Sequence, residues 1–206
     1  MLGNFHRGNV VVLFSLFFAA VGIGFAMTGE IQFAMISLVV ATIADMFVYQ
    51  VSSAFETDEA TQSFANEFET LTDVVIFGIL PAVIYLQVMN ANIIGLLILA
   101  AYILAVIVRV AHFNRASRFI DEVSDDKTQG LPIEFVGIAL PVLTLLGYIL
   151  PLIVLQILLT LLMGALAFAY VSKHLFPKIQ RTYSMYVILV NVLVVVIMIW
   201  KGNILR

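Results

Sequence analysis

The sequence predicts an all-α polytopic membrane protein, a bundle of about six to eight transmembrane helices forming a single membrane domain over residues 1–206. Hydrophobic residues make up 63% of the chain and charged residues only 11%. The mean hydropathy is +1.11. Apolar runs of about 20 residues recur along the chain, and a helix of that length crosses the hydrocarbon core of a bilayer. A soluble core of this size does not need such runs.

Seven windows fit transmembrane helices. They lie near residues 10–28, 31–52, 64–90, 92–114, 133–150, 152–172 and 183–200. The first window is long enough to span, so we interpret it as a retained anchor and not as a cleaved signal. Only Leu150 and Pro151 separate the fifth and sixth windows. Because Pro fits a helix start but breaks a helix interior, these two windows are either a tight hairpin or one kinked unit.

Lys and Arg residues are distributed unevenly between the two ends of the predicted spans. Those on the side of the N-terminus are Arg7, Arg109, Arg115, Arg118, Lys127, Lys173, Lys178 and Arg181, and those on the other side are Lys201 and Arg206. Because cytoplasmic loops carry an excess of Lys and Arg, we predict a short cytoplasmic N-terminus at residues 1–8. The chain has no cysteine, so disulfides and thiolate chemistry are excluded. No basic stretch with interleaved aromatics indicates a nucleic-acid partner.

Asp45, Glu69 and Asp73 lie within the second and third predicted spans, where charged residues are expensive and mark functional sites. At a rise of about 1.5 Å per residue, Asp45 lies about 12 Å from the loop 53–63, while Glu69 and Asp73 lie about 9 and 15 Å along the returning helix. Glu69 and Asp73 are four residues apart and share a helix face. We predict that the three carboxylates meet on the cytoplasmic half of the bundle as a hard-ligand site suited to Mg²⁺, Mn²⁺ or Ca²⁺.

An alternative interpretation needs no ligand. The three carboxylates are then protonated, or hydrogen-bonded to Thr42, Thr70 or Thr72 on a neighbouring helix face.

Residues 45–53 read DMFVYQVSS and residues 65–73 read ANEFETLTD. Together they resemble the signature of the CDP-alcohol phosphatidyltransferase family, Asp-x-x-Asp-Gly-x-x-Ala-Arg followed by Gly-x-x-x-Asp-x-x-x-Asp. The following VVIFGILPA, the later RVAHFN that begins at Arg109, and Gly-Leu-Pro at residues 130–132 are similar to the phosphatidylserine synthase branch, and so is the opening span from Asn9. The resemblance covers residues 9–141, which we interpret as a family-like helical core; residues 142–206 are additional C-terminal spans.

The signature is degenerate at several positions. Val48 replaces its second aspartate, Tyr49 and Ala65 replace its two glycines, and Ser52 and Ser53 replace its Ala-Arg pair. A valine has no oxygen with which to bind a metal, and loss of the arginine removes a charge suited to a diphosphate.

The resemblance implies transfer of a phosphatidyl group from CDP-diacylglycerol, or a related lipid, to a small polar alcohol such as serine, with release of CMP. It implies that Asp45, Glu69 and Asp73 hold one or two Mg²⁺ or Mn²⁺ ions and that Asp73 is the catalytic base. It also implies a homodimer within the membrane lipid. Asn9, Arg109, Arg115 and Arg118 are the predicted substrate-binding residues. The arginines have an equally simple interpretation as topology determinants.

Two other functions remain open from the sequence. The replaced signature residues favour a non-catalytic relative that binds lipid or a partner protein. An ion-coupled carrier would use Asp45 and Asp73 as relay groups. Such carriers have inverted repeats and broken mid-membrane helices, which we do not find in the sequence.

Overall fold

A computed structural model describes residues 8–52, 58–90, 92–119, 127–177 and 181–202. Residues 1–7 of the predicted N-terminus 1–8 and residues 53–57 of the predicted loop 53–63 lie outside these ranges. The α-helices are α1 Gly8–Met27, α2 Ile31–Ser52, α3 Glu59–Asp73, α4 Leu80–Val88, α5 Ile93–Phe119, α6 Val136–Thr144, α7 Leu152–Val171 and α8 Arg181–Lys201. The predicted all-helical membrane class is confirmed by this architecture.

Among the described residues, five helical segments are long and apolar enough to cross a membrane, which makes the chain an integral membrane protein. They are Asn9–Met27, Ile31–Val48, Glu59–Val88, Ile93–His112 and Leu152–Val171. Two further apolar segments, Ile133–Tyr148 and Met185–Lys201, are shorter. Each of the seven predicted windows coincides with one of these segments, but the count of six to eight spans stays a prediction, as does the orientation of the termini.

The fifth predicted window is not a continuous α-helix. It consists of a 3₁₀ turn at Ile133–Phe135, then α6, then a second 3₁₀ turn at Leu145–Tyr148. The chain then breaks, and Pro151 stands in extended conformation immediately before α7. The fifth and sixth windows are therefore two separate helices joined by a tight connection, the first of the two arrangements that the sequence allows.

A π-helical segment, Val74–Ile79, joins α3 to α4 directly after Asp73. The sequence does not predict it, and such segments often occur at functional sites. In this wider winding the Leu80 amide donates to the Val75 carbonyl, five residues earlier. Pro81 has no amide hydrogen to donate to the carbonyl of Phe77. The buried Tyr102 hydroxyl of α5 donates to that carbonyl instead, so α5 supports the segment that follows Asp73.

We expect the substitution Tyr102→Phe to lower the free energy of unfolding by about 1 kcal/mol, because the Phe77 carbonyl loses its partner inside the bundle. Thermal unfolding in detergent measures the effect. Tyr186→Phe is the matched control, since Tyr186 is 66% exposed on α8. Equal unfolding temperatures for the two variants would contradict this role for Tyr102.

A short two-stranded sheet connects two loops at one end of the bundle. Strand β1, Lys127–Gln129, pairs antiparallel with β2, Leu175–Pro177, with Thr128 opposite Phe176. The Gly130 amide extends the pairing by donating to the carbonyl of His174 at 2.9 Å. The sheet therefore ties the start of the α6 segment to the end of α7.

Candidate carboxylate site

A close contact of three helices gives the depth of Asp45 and Asp73. A Cβ atom built on Gly22 of α1 would lie 2.8 Å from Ser37 Cβ of α2 and 3.1 Å from Leu80 Cδ1 of α4, so these residues are level. Asp45 follows Ser37 by eight residues on α2, and Asp73 precedes Leu80 by seven residues. Both aspartates are therefore displaced from this level toward the end of the bundle where α1 begins. These separations correspond to about 12 and 10 Å, so the two aspartates lie at nearly the same depth.

Helix α6 packs antiparallel to α2. The Thr144 hydroxyl lies 4.0 Å from the sulfur of Met35. Two turns away, the backbone of Gly137 lies so close to Thr42 that a Cβ atom on Gly137 would overlap the threonine hydroxyl. The two contacts are seven residues apart on each helix and in reversed order, which fixes the register of the pair.

This register places Glu134 opposite Asp45. Glu134 lies three residues before Gly137, and Asp45 lies three residues after Thr42. Both are displaced along the bundle by about 4.5 Å in the same direction. Glu134 is therefore level with Asp45, and Glu69 lies one turn nearer the end of the bundle than Asp73.

Asp45, Glu69, Asp73 and Glu134 form what we call the carboxylate cluster. All four are half-buried, and the charges of Asp45 and Asp73 repel one another and those of Glu69 and Glu134. Within the described residues, no cation or hydrogen-bond donor pairs with Asp45, Glu69 or Asp73. Like charges gathered at membrane depth without a partner are costly, so either protons or a bound cation must neutralise them.

The alternative of carboxylates satisfied by threonines finds little support. Thr42 donates its hydroxyl hydrogen to the Leu38 carbonyl at 2.8 Å, and Thr70 donates to the Asn66 carbonyl at 2.6 Å. A hydroxyl has one hydrogen to donate, so neither threonine offers it to a carboxylate. The buried Thr72 hydroxyl has no partner among the described residues.

The cluster fits a hard divalent cation in its chemistry, because it offers only carboxylate oxygens. In the described part of the chain no three acidic or histidine side chains converge closely enough to hold a metal ion by themselves. Mg²⁺ does not require such a cage, since it usually keeps several waters and is bound through one or two carboxylates plus substrate phosphates. The residues present therefore suit an ion that arrives with a phosphorylated substrate.

The predicted substrate-binding residue Asn9 lies in the first turn of α1 and is 1% exposed. Its side-chain amide nitrogen has no acceptor within the described residues. A buried donor without an acceptor costs about 1–3 kcal/mol, so this group suits an anionic ligand such as a phosphate oxygen. The backbones of Arg115 and Arg118 belong to α5, but their side chains lie outside the part that the structure describes.

Arg109 is 5% exposed and contacts the backbone of the Gly130–Pro132 turn. Its Nε donates to the Leu131 carbonyl at 3.0 Å, and a terminal nitrogen lies 3.5 Å from the Gly130 carbonyl. Its charge also interacts with Glu134. These contacts give Arg109 a structural role that the sequence did not reveal, while its contact with substrate stays a prediction.

Val48, which stands at the second aspartate of the family signature, is 2% exposed. It therefore occupies the core as an ordinary apolar side chain. The side chains of Tyr49 and Ser52 and the whole of Ser53, the other signature replacements in this segment, lie outside the described residues.

Glu134 is the member of the cluster that sequence reasoning missed. A signal was available, because Glu134 is the only charged residue between Lys127 and Lys173. A lone acid in such an apolar stretch indicates a functional site by the same rule that singles out Asp45.

An apolar groove lies between α1 and α2, and its lining includes Ala44, the residue before Asp45. Its volume is about 360 Å³, and it is lined by Val11, Phe14, Val40, Ile43, Ala44 and Phe47. The lining contains no polar surface, so the groove suits a hydrocarbon chain.

No protein-family model matches the sequence, and no curated protein matches it significantly.

Proposed function

We propose that the protein is a metal-dependent phosphatidyltransferase that moves a phosphatidyl group from CDP-diacylglycerol, or a related CDP-lipid, to a small hydroxyl acceptor. The observation that carries the proposal is the carboxylate cluster, in which Asp45, Glu69 and Asp73 lie together at membrane depth without a cation or donor among the described residues. Its position inside an integral membrane protein favours a substrate with a lipid tail and a charged head. The resemblance of residues 9–141 to the family supports the same reaction.

Asp45, Glu69 and Asp73 are the residues that would hold Mg²⁺ or Mn²⁺. When bound, the ion neutralises the diphosphate and stabilises CMP as the leaving group. Asp73 accepts the proton of the acceptor hydroxyl. The acceptor oxygen then forms a bond to the phosphorus that bears the diacylglycerol, and the bond from that phosphorus to the bridging oxygen of CMP breaks.

Two further features support a CDP-lipid as substrate. The unpartnered Asn9 amide is a donor for a phosphate oxygen. The apolar groove between α1 and α2, which is lined in part by Ala44, offers a surface for one acyl chain. Substrate binding by Arg109, Arg115 and Arg118 remains part of the proposal.

The acceptor is identified by product analysis. Purified protein in detergent is incubated with CDP-diacylglycerol and Mn²⁺, and with serine, glycerol phosphate, inositol or no acceptor, and the lipids are analysed by mass spectrometry. We expect one new phospholipid with one acceptor, and serine is the acceptor that the resemblance favours. Absence of product with every acceptor, beside an active transferase in the same assay, would contradict the proposal.

The second candidate function is a non-catalytic subunit that binds lipid or a partner protein. Burial of Val48 favours it, because the core position of this side chain leaves the signature one carboxylate short. This candidate predicts binding of a CDP-lipid or another anionic lipid without formation of CMP or a new phospholipid.

A further inference from the structure

The π-helical segment Val74–Ile79 adds one residue to the helix that α3 and α4 otherwise form together. Its backbone bonds reach back five residues, as between the Leu80 amide and the Val75 carbonyl, where those of an α-helix reach back four. Because one residue of an α-helix corresponds to about 100° of rotation, the added residue turns α3 by about that angle relative to α4. The segment therefore decides which side chains of α3 point into the bundle.

The burial of side chains at the end of α3 agrees with this rotation. In an unbroken α-helix Asp73 would share the buried face of Leu80, because seven residues make almost two full turns. Instead Thr72 is 2% exposed, Asp73 is half-buried and Leu71 is 68% exposed. Thr72 thus occupies the buried place that an unbroken helix would give to Asp73. Asp73 lies where its charge interacts with that of Asp45.

The observed rotation is unfavourable for α3 itself. The buried Thr72 hydroxyl has no hydrogen-bond partner among the described residues, and such a group is costly inside a protein. The same rotation gathers the charges of Glu69 and Asp73 with that of Asp45. Because neither feature favours this rotation, contacts outside α3 must impose it.

Pro81 and Tyr102 account for the π-helical winding. In a regular α-helix the ring of Pro81 would clash with the carbonyl group of Phe77, four residues earlier, and proline has no amide hydrogen to offer that carbonyl. The wider winding relieves the clash, and the Tyr102 hydroxyl of α5 donates to the carbonyl. Helix α5 also approaches the segment closely, since a Cβ atom on Gly78 would lie 3.3 Å from Val106. A proline within α4 and a tyrosine of α5 thus hold the added residue in place.

We propose that Pro81 and Tyr102 are positioning residues, which fix the rotation of α3 through the π-helical segment and thereby turn Asp73 into the carboxylate cluster. Without them the segment returns to α-helical winding, and α3 rotates by about 100°. Thr72 then takes the exposed place of Leu71, and Asp73 takes the buried place of Thr72. The rotation does not depend on the proposed function, but its importance for phosphatidyl transfer rests on it, because Asp73 is the proton acceptor.

Cysteine alkylation measures the rotation, because the chain contains no cysteine and one introduced thiol reports on one position. Thr72→Cys is treated with N-ethylmaleimide in detergent, and its rate is followed by mass spectrometry beside Leu71→Cys, which gives the rate of an exposed thiol. We expect Thr72→Cys to be nearly inert, since buried thiols react slowly. Adding Pro81→Ala should raise the rate of Thr72→Cys at least about tenfold, toward that of Leu71→Cys. Pro151→Ala, the same change directly before α7, is the matched control and should leave the rate unchanged.

Deletion of Val75 separates a changed rotation from a damaged fold. In the Pro81→Ala background the deletion removes the added residue, so an unbroken α-helix joins α3 to α4 at the original angle. The Thr72→Cys thiol should then become nearly inert again, whereas a thiol exposed by unfolding would stay reactive. A rate that Pro81→Ala does not raise, or that the deletion does not restore, would overturn the inference.

Tyr102→Phe tests the second positioning residue. We expect it to raise the alkylation rate of Thr72→Cys less than Pro81→Ala does, because it removes the hydrogen bond to Phe77 but leaves the clash with the proline ring. No rise in the rate would overturn the part assigned to Tyr102.

Transfer rates connect the rotation with the proposed function. In a chain that forms a lipid product, Pro81→Ala should lower the rate about a hundredfold, because Asp73 leaves the cluster, and deletion of Val75 in that background should restore part of it. If alkylation detects the rotation but the unmodified chain forms no product, the proposed function is overturned and this inference stands. If product forms but alkylation detects no rotation, this inference is overturned and the proposed function stands.

Discussion

Replacing Asp73 by asparagine is expected to lower the rate of phosphatidyl transfer by about a hundredfold to ten-thousandfold, the usual contribution of a general base. The substitution keeps the shape of the side chain but removes the group that accepts the proton, and it also weakens the cation site. Asp73 is the last residue of α3, directly before the π-helical segment. No neighbouring carboxylate is level with it on the same helix, because Glu69 lies one turn away.

The matched control for Asp73→Asn is Asp58→Asn, the same chemical change at the exposed start of α3, where the aspartate makes no capping hydrogen bond. The control should keep full activity. Both variants are compared by initial rate of product formation and by unfolding temperature in chelator. An Asp73→Asn variant with full activity would refute the proposed mechanism, since in that mechanism Asp73 accepts the proton of the acceptor hydroxyl.

Replacing Gly137 by alanine is expected to lower the free energy of unfolding by about 1–3 kcal/mol, the usual cost of overpacking a core. The new methyl group would overlap the hydroxyl and methyl groups of Thr42, so α6 must move away from α2. That movement also carries Glu134 away from Asp45. Thermal unfolding in detergent measures the loss of stability.

Two further variants identify the cause of the Gly137→Ala effect. Gly24→Ala is the matched control, because a Cβ atom on Gly24 of α1 meets nothing within 4 Å and alanine favours a helix over glycine. The double variant Thr42→Ala with Gly137→Ala removes most of the overlapping atoms and should recover part of the lost stability, as expected for residues in contact. Additive effects of the two substitutions would argue against a direct contact between α2 and α6.

The sequence predicts the helical segments well because apolar runs in membranes leave the backbone few alternatives to a helix. It also predicts that Asp45 and Asp73 lie at a similar depth, since the rise of a helix per residue is constant. Both predictions depend on local pattern alone. In the structure, the contact of Gly22 with Ser37 and Leu80 likewise places the two aspartates at nearly the same depth.

The remaining features depend on contacts between segments that are distant in the chain. The π-helical segment places the Phe77 carbonyl against Tyr102, which lies 25 residues later. Glu134 joins the cluster only because α6 returns to α2 with a glycine at the crossing. Arg109 reads as a surface charge in the sequence, whereas its contact with Leu131 depends on the turn that folds back over α5. No local pattern specifies these pairings.

Release of CMP from CDP-diacylglycerol by the purified protein is the most direct measurement of the central claim. The assay is run with Mn²⁺ and with chelator, in the presence of the acceptor that gives a lipid product. We predict CMP release that requires both the metal and the acceptor, and that is lost in Asp73→Asn. A well-folded protein that releases no CMP with Mn²⁺ and any acceptor, beside an active transferase, would contradict the claim and favour the non-catalytic subunit.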